Sequence, residues 1–127
     1  QQAIVLCAHL HLYSVVCRDT PWGPIVQILV NSVIKDKNML IPKKVVTDYS
    51  PKLVTAHPQW QPSTLQQRME WIDKETPHIR FFKQMDLPGY GILSINKENN
   101  KMQLEYYAAF GEKPYDTVNI YELLTSN

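Results

Sequence analysis

Glycine is scarce in this sequence, and its scarcity limits the kinds of site that the chain can build. Only four glycines stand among the 127 residues. None belongs to a glycine-rich loop after a strand, so a nucleotide-binding fingerprint, which needs glycines to approach phosphates closely, is excluded. No serine stands in the nucleophile-elbow pattern either, which removes a common signature of serine hydrolases.

Charge of one sign and long apolar runs are also missing. The formal net charge is +1, from 13 basic and 12 acidic residues. Composition therefore predicts neither a nucleic acid nor a membrane surface as a partner. The longest apolar run, 25–34, contains polar residues and falls short of the roughly eighteen apolar residues that a membrane span needs. The sequence predicts one soluble globular domain over 1–127.

Cysteine is represented by Cys7 and Cys17 alone, which is too few for a disulfide framework. Their spacing suits either a bridge across a hairpin or two buried thiols, so the redox compartment and the cellular location stay open. The sequence starts without methionine or a basic leader and passes at once into the apolar run 3–8. We therefore expect it to be a fragment of a larger protein.

The pattern of apolar residues predicts strands for most of the chain. Two strands that share a sheet are predicted over 3–17, with a bend, and over 25–30. Proline and glycine predict a loop over 18–24. Four further strands are predicted over 79–85, 90–95, 102–108 and 117–123. A polar turn over 96–101 joins two of them, so the C-terminal half is predicted to be an antiparallel meander.

Five prolines divide the stretch 35–78, which is predicted to be an insertion within the domain. Inside it, Ser63 is a suitable N-cap, and apolar residues from Leu65 to Ile72 recur at helical spacing. These features predict one short amphipathic helix within 63–76. The predicted fold class is therefore α+β, a mostly antiparallel β-sheet with one short helix in an insertion.

His9 and His11 are the residues with the clearest chemical potential. On a strand, residues two apart leave the same face with Cα atoms roughly 6.5 Å apart. This spacing suits one imidazole on each of two metal ions. Partly buried histidines without metal are the alternative. Cys7 could also join them at a single zinc ion, although three ligands on one short strand do not readily surround a tetrahedral ion.

Two other groups of residues admit a binding role. A second ligand set would contain Asp48, His57, Asp73, Glu75 and His78. Their spacing matches no metal signature, so a solvated surface is the simpler interpretation. A sugar- or peptide-binding groove would contain Trp22, Trp60, Trp71 and Tyr49. Such aromatic residues also anchor loops to sheets, and the sequence does not decide between the two roles.

The segment 5–14, with the letters VLCAHLHLYS, resembles the last metal motif of calcineurin-like metallophosphoesterases, which include purple acid phosphatases. In that family a strand runs into a Gly-His-x-His turn, and an aromatic residue follows shortly after. The resemblance implies that His9 and His11 are the final two metal ligands. It also implies that Tyr13 binds substrate near the mouth of the site.

The resemblance covers about half of the chain, in the order of the family. The segment 24–31 is similar to the strand after this motif, and 89–111 is similar to the closing hairpin. The chain departs from the family at Ala8, where glycine is usual, and after Asn31, where no glycine-rich turn follows. The Asp-x-His, Gly-Asp-x-x-Asp and Gly-Asn-His-Glu motifs of the family belong N-terminal to this segment and are missing.

The resemblance implies a fold like the C-terminal half of a metallophosphoesterase sandwich. It also implies hydrolysis of a phosphate ester by metal-bound hydroxide in the complete protein, with two transition metals, such as iron, zinc or manganese. Such a site needs a bridging carboxylate and further ligands, so the chain alone is expected to be inactive and to bind metal weakly or not at all.

The expected partners follow from the same resemblance. They are a phosphate ester, the N-terminal half of the same protein and, through an exposed sheet edge, a second copy of the chain. A different class of function stays open beside it. The chain could be a non-catalytic β-rich interaction module in which the histidines are structural and the insertion forms the contact surface.

Overall fold

The computed structural model describes residues 2–8, 12–30, 47, 49, 64–85, 87–108 and 111–126. Seven strands and two α-helices lie in these ranges. Most strand pairs are antiparallel, so the structure is α+β and confirms the predicted fold class. Neither helix of the described ranges has the length and apolar character that crossing a membrane requires.

The first sheet contains four strands. They are β1 (Ala3–Cys7), β2 (Tyr13–Thr20), β3 (Gly23–Leu29) and β4 (Ile79–Met85). The order across the sheet is β1-β3-β2-β4. β2 is antiparallel to both of its neighbours, whereas β1 and β3 are parallel. The stretch 3–17 contains two separate strands, β1 and most of β2, which lie on either side of β3. The predicted shared sheet is therefore confirmed, and the predicted single strand with a bend is replaced by two strands.

The hairpin between β2 and β3 is tighter than the sequence predicted. The predicted loop over 18–24 shrinks to a turn at Pro21 and Trp22, because β2 continues to Thr20 and β3 begins at Gly23. Gly23 has a φ of 119°, which residues other than glycine rarely adopt. The Thr20 hydroxyl donates to the Gly23 carbonyl at 2.6 Å and closes the turn.

The second sheet is the antiparallel meander that the sequence predicted. Its strands, in chain order and sheet order, are β5 (Gly89–Asn96), β6 (Lys101–Ala108) and β7 (Asp116–Asn119). The predicted polar turn joins β5 to β6 over 97–100. In this turn the Asn96 side chain accepts a hydrogen bond from the Glu98 backbone N–H at 3.0 Å, as asparagine commonly does in turns.

One helix of the structure lies in the predicted insertion. It is α1 (Leu65–Glu75), within the predicted range 63–76, and one turn of 3-10 helix over Thr76–His78 follows it. Thr64 provides the N-cap instead of the predicted Ser63, because its side chain accepts from the Gln67 backbone N–H at 3.3 Å. Within 35–63 only residues 47 and 49 are described.

The last predicted strand, 117–123, is wrong beyond Asn119. The chain there enters a second helix, α2 (Ile120–Thr125). The Asn119 side chain accepts from the backbone N–H of Glu122 at 3.1 Å and caps the helix. Ile120 and Leu124, four residues apart on one helical face, are both buried. The cap and this burial outweigh the β-propensity of the segment.

One core joins the inward faces of both sheets and α2. It contains Tyr13, Val15, Cys17, Val26, Ile28, Met85, Leu104, Tyr106, Val118, Ile120 and Leu124. Both cysteines are free thiols, so the predicted alternative of a disulfide bridge is wrong. The buried thiol among them, Cys17, donates to the Leu123 carbonyl at 3.6 Å, and burial raises its pKa.

Two arginines tie the helices to the first sheet. Arg18 on β2 donates hydrogen bonds to both carboxylate oxygens of Glu75 at the end of α1, at 2.5 and 3.1 Å. Arg80 on β4 pairs with Asp19 and donates to carbonyl oxygens at the end of α2. A cation at a helix C-terminus satisfies carbonyls that lack a partner within the helix. The ends of both helices are therefore fixed by charged hydrogen bonds.

The pH dependence of stability should report on the ion pair between Arg18 and Glu75. The hydrogen bond from Arg18 lowers the pKa of Glu75 below its ordinary value of 4.5. Because the pKa of Glu75 is lower in the folded protein than in the unfolded chain, the ion pair stabilises the folded protein at pH values above the unfolded-state pKa. This stabilisation is lost as the pH falls through the folded-state pKa. In the unmodified protein, the urea concentration at the unfolding midpoint should fall as the pH is lowered from about 5 to about 3. We expect this fall to be smaller in Glu75→Gln.

Arg18→Gln provides the matched test, because it removes the other partner. It should flatten the same acid limb, and the double variant should add no further flattening. An acid limb unchanged in both single variants would contradict the assignment.

Candidate functional site

The predicted metal ligands, His9 and His11, lie outside the described residues. In chain order they fall between the end of β1 at Cys7 and the start of β2 at Tyr13. Since β3 lies between these strands, the connection has to span two strand spacings, about 9.6 Å. The metal-binding role stays a prediction, whereas the residues on both sides of the connection are described.

Two parallel strands end side by side where this connection begins. Cys7, the last residue of β1, lies opposite Leu29, the last residue of β3. Cys7 also packs against the buried cluster that Leu12 and Leu29 form. This apolar cluster holds one residue before and one residue after the two histidines. The carboxyl ends of parallel strands are the usual place for ligands in open α/β sheets.

Tyr13, the predicted substrate-binding residue, is fully buried at the start of β2. Its ring stacks on the ring of Tyr106 from the second sheet, with the centroids 4.1 Å apart. Its hydroxyl donates to Asp116 Oδ2 at 2.8 Å. Burial, with a smaller contribution from the charge of Asp116, raises the pKa of Tyr13, so the hydroxyl remains a donor. Substrate binding by Tyr13 stays a prediction.

Asp116 receives a second hydrogen bond from the first sheet. Lys83 Nζ on β4 donates to Oδ1 at 2.7 Å, and the same ammonium group lies 5.8 Å from the centroid of the Phe81 ring. The side chains of Lys83 and Asp116 are only 19% and 10% exposed. Burying a charge is tolerated when it is paired and hydrogen-bonded, and both carboxylate oxygens have a donor here.

Sequence reasoning did not single out Lys83 or Asp116. The two residues are 33 positions apart, and no spacing or motif relates them. Locally, each is a charged residue in a strand, Lys83 within Ile79–Met85 and Asp116 at the start of Asp116–Asn119. We define the junction as Tyr13, Tyr106, Lys83 and Asp116, because these side chains join the two sheets beside the connection.

The described residues contain no complete metal site. No group of three or more His, Cys, Asp or Glu side chains in these ranges could hold a metal ion. A catalytic zinc site uses three protein ligands and an open position, so two imidazoles alone would not complete one. Imidazole nitrogen suits iron and zinc, and in this respect His9 and His11 fit the predicted metals.

The second ligand set considered in the insertion is not assembled among the residues that the structure covers. Asp73 and His78 are exposed, as the solvated-surface interpretation predicts. Glu75 is paired with an arginine of β2. Asp48 and His57 lie outside the described residues.

The aromatic residues considered for a groove have different surroundings. Trp22 and Trp71 are exposed, on a hairpin turn and on α1. Tyr49 packs edge-to-face on Phe82 with the centroids 5.3 Å apart, which is the loop-anchoring role. Trp60 lies outside the described residues. A groove of these four residues therefore stays a prediction.

The outward face of the second sheet carries an aromatic pair that sequence reasoning missed. Tyr90 and Tyr107 are opposite each other on β5 and β6, and their rings stack with centroids 5.2 Å apart. The Tyr107 hydroxyl donates to Glu105 at 2.6 Å, and this bond raises the pKa of Tyr107. The period-two pattern of both strands could have placed the pair on one face, but the register between them was needed.

Comparison with known proteins gives no relative for this chain. No family model, no curated protein and no solved structure matches it significantly. The resemblance to metallophosphoesterases therefore depends on the segments 5–14, 24–31 and 89–111 alone, and it stays a proposal.

Removal of the Asp116 carboxylate should destabilise the protein strongly. Asp116→Ala leaves the ammonium of Lys83 and the hydroxyl of Tyr13 buried without their acceptor. We expect the free energy of unfolding, measured by urea denaturation, to fall by about 3–5 kcal/mol. The matched control is Asp73→Ala on α1, where an exposed carboxylate is lost and a change within about 0.5 kcal/mol is expected.

The double variant Asp116→Ala with Lys83→Met should be more stable than Asp116→Ala alone, because it removes the unpaired buried charge as well. A loss below about 1 kcal/mol in Asp116→Ala would show that the ion pair is not a structural junction.

Proposed function

We propose that this chain is the C-terminal part of a two-metal phosphoesterase in which His9 and His11 bind metal. One structural observation supports the proposal beside the sequence pattern of 5–14. The carboxyl ends of β1 and β3 are level, with Cys7 opposite Leu29, and the segment that contains both histidines follows Cys7 in the chain. In open α/β sheets, ligands bind outside the carboxyl ends of parallel strands.

The frame around the connection is suited to holding ligands. β1 is bound to β3 along its whole length, and Leu12 is buried directly before β2 begins. Tyr13 is then fixed by its stacked ring and its hydroxyl bond to Asp116. Ligands need such support from packed residues, because small displacements reduce both affinity and activity. In the proposal Tyr13 is a positioning residue, since its hydroxyl is committed to Asp116.

The proposal assigns the remaining ligands to the N-terminal half of the same protein. Bound transition metals supply Lewis acidity toward a phosphate ester, and His9 and His11 would hold them from this chain. A bridging carboxylate and further ligands complete such a site. Metal affinity depends on a preformed ligand set, so the chain alone is proposed to bind metal weakly or not at all and to be inactive.

The second candidate is a non-catalytic interaction module, with the insertion as its contact surface. α1 favours it, because Met69 and Trp71 on this helix are 42% and 57% exposed. Exposed methionine and tryptophan side chains are enriched at protein interfaces. The metal content of the full-length protein separates the two candidates, since this module needs no metal.

Metal content and phosphatase activity test the proposed function directly. The full-length gene product should contain about two transition metals per chain and hydrolyse 4-nitrophenyl phosphate. In the double variant His9→Ala, His11→Ala we expect metal content to fall below about one per chain and kcat/KM to fall on the order of 1,000-fold or more, because both ligands are lost. The control His78→Ala, which changes an exposed histidine after α1, should keep both properties.

A full-length protein without metal and without activity would overturn the phosphoesterase proposal and leave the interaction module. Metal and activity that survive in the double variant would show that a different ligand set is responsible.

A further inference from the structure

Two polar side chains are buried next to each other on the outward face of the first sheet. Ser14 on β2 lies opposite Gln84 on β4. Their chain neighbours Tyr13 and Met85 belong to the core, so the alternation of strand side chains places Ser14 and Gln84 on the other face. Ser14 is 9% exposed and Gln84 is 5% exposed. Opposite side chains of antiparallel strands have Cβ atoms about 4.5–5.5 Å apart, so the two polar groups can share one binding partner.

Neither side chain has a hydrogen-bond partner among the residues that the structure covers. The neighbours on the same face cannot supply one. Leu29 lies opposite Ser14 on β3, while Val16 and Phe82 are opposite each other two residues further along β2 and β4. The side chains of these three residues contain no polar atoms. Since a buried hydroxyl or amide without a partner is costly, such groups usually bind ordered water or a ligand.

The surroundings of the pair favour an uncharged partner. Cys7, Leu29, Ser14 and Gln84 form one row across the four strands of the sheet, and this row contains no acidic or basic side chain. An ion buried beside these side chains would have no counter-charge in the row. A hydroxyl and a carboxamide can each donate and accept hydrogen bonds. Water does the same and has no charge, so it matches both groups.

We propose that Ser14 and Gln84 hold one internal water molecule, which bridges the Ser14 hydroxyl and the Gln84 carboxamide between β2 and β4. Folded proteins contain roughly one buried water per 27 residues, and such a water makes about three hydrogen bonds to buried polar groups. In this arrangement the start of β2 has a hydrogen-bonded anchor on each face, Tyr13 toward the second sheet and Ser14 toward β4. The proposal goes beyond both candidate functions, because it depends on burial and not on metal binding.

The second sheet offers a matched pair of the same residue types. Ser94 on β5 lies opposite Gln103 on β6, and these strands are also antiparallel. Ser94 is exposed and Gln103 is half-buried, so bulk water reaches this pair. Substitutions at Ser94 and Gln103 therefore control for the loss of each side chain in the same cross-strand geometry.

Apolar substitutions test the bridge in the full-length gene product. Ser14→Ala and Gln84→Met should each lower Tm by roughly 3–8 °C, because each leaves the water and the other side chain without a partner. The double variant removes both polar groups, so its loss of Tm should be smaller than the sum of the single losses by at least about 3 °C. The controls Ser94→Ala and Gln103→Met should each change Tm by less than about 2 °C, and their effects should add.

A high-resolution crystal structure of the unmodified protein tests the water directly. It should contain a water oxygen about 2.7–3.2 Å from Ser14 Oγ and from a side-chain oxygen or nitrogen atom of Gln84. If a variant does not fold, this structure decides alone.

Two results would overturn the proposal. A rise of Tm in both single variants would show that the two groups are buried without any partner, because removal of an unpaired polar group relieves its desolvation cost. Electron density for another side chain or for an organic ligand at the bridging position would show that the partner is not water. Neither measurement involves metal or activity, so failure here is distinct from failure of the phosphoesterase proposal.

Discussion

The structure depends on one buried junction between its two sheets. Tyr13 stacks on Tyr106, and Asp116 accepts hydrogen bonds from Tyr13 and Lys83, so the second sheet is fixed to the first by ring contact and charge together. The apolar core beneath the junction supplies most of the stabilisation, but apolar contact is non-directional. The hydrogen bonds to Asp116 have defined geometry, and they fix how the sheets face each other.

The junction also fixes the side chain at the start of β2. Tyr13 stands two residues after His11, and its side chain is held in the interior by the second sheet. The sequence resemblance predicted contact of Tyr13 with substrate, whereas its side chain is fully buried and its hydroxyl donates to Asp116.

β1 lies at an edge of the first sheet among the described strands, and its side chains Val5 and Leu6 are exposed. The predicted metal ligands His9 and His11 follow β1 in the chain, since Cys7 is its last residue.

The sequence by itself determined the strands 79–85 and 102–108, the helix α1 and the fold class, because apolar periodicity reports which face of a local element is buried. The cap of Asn119 on Glu122 is a local signal, but only the tertiary structure provided the burial of Ile120 and Leu124 that makes the predicted strand 117–123 end at Asn119. It alone also decided the parallel position of β1 and the partnership of Lys83 with Asp116. These features join residues far apart in the chain, and local patterns contain no information about which distant segments meet.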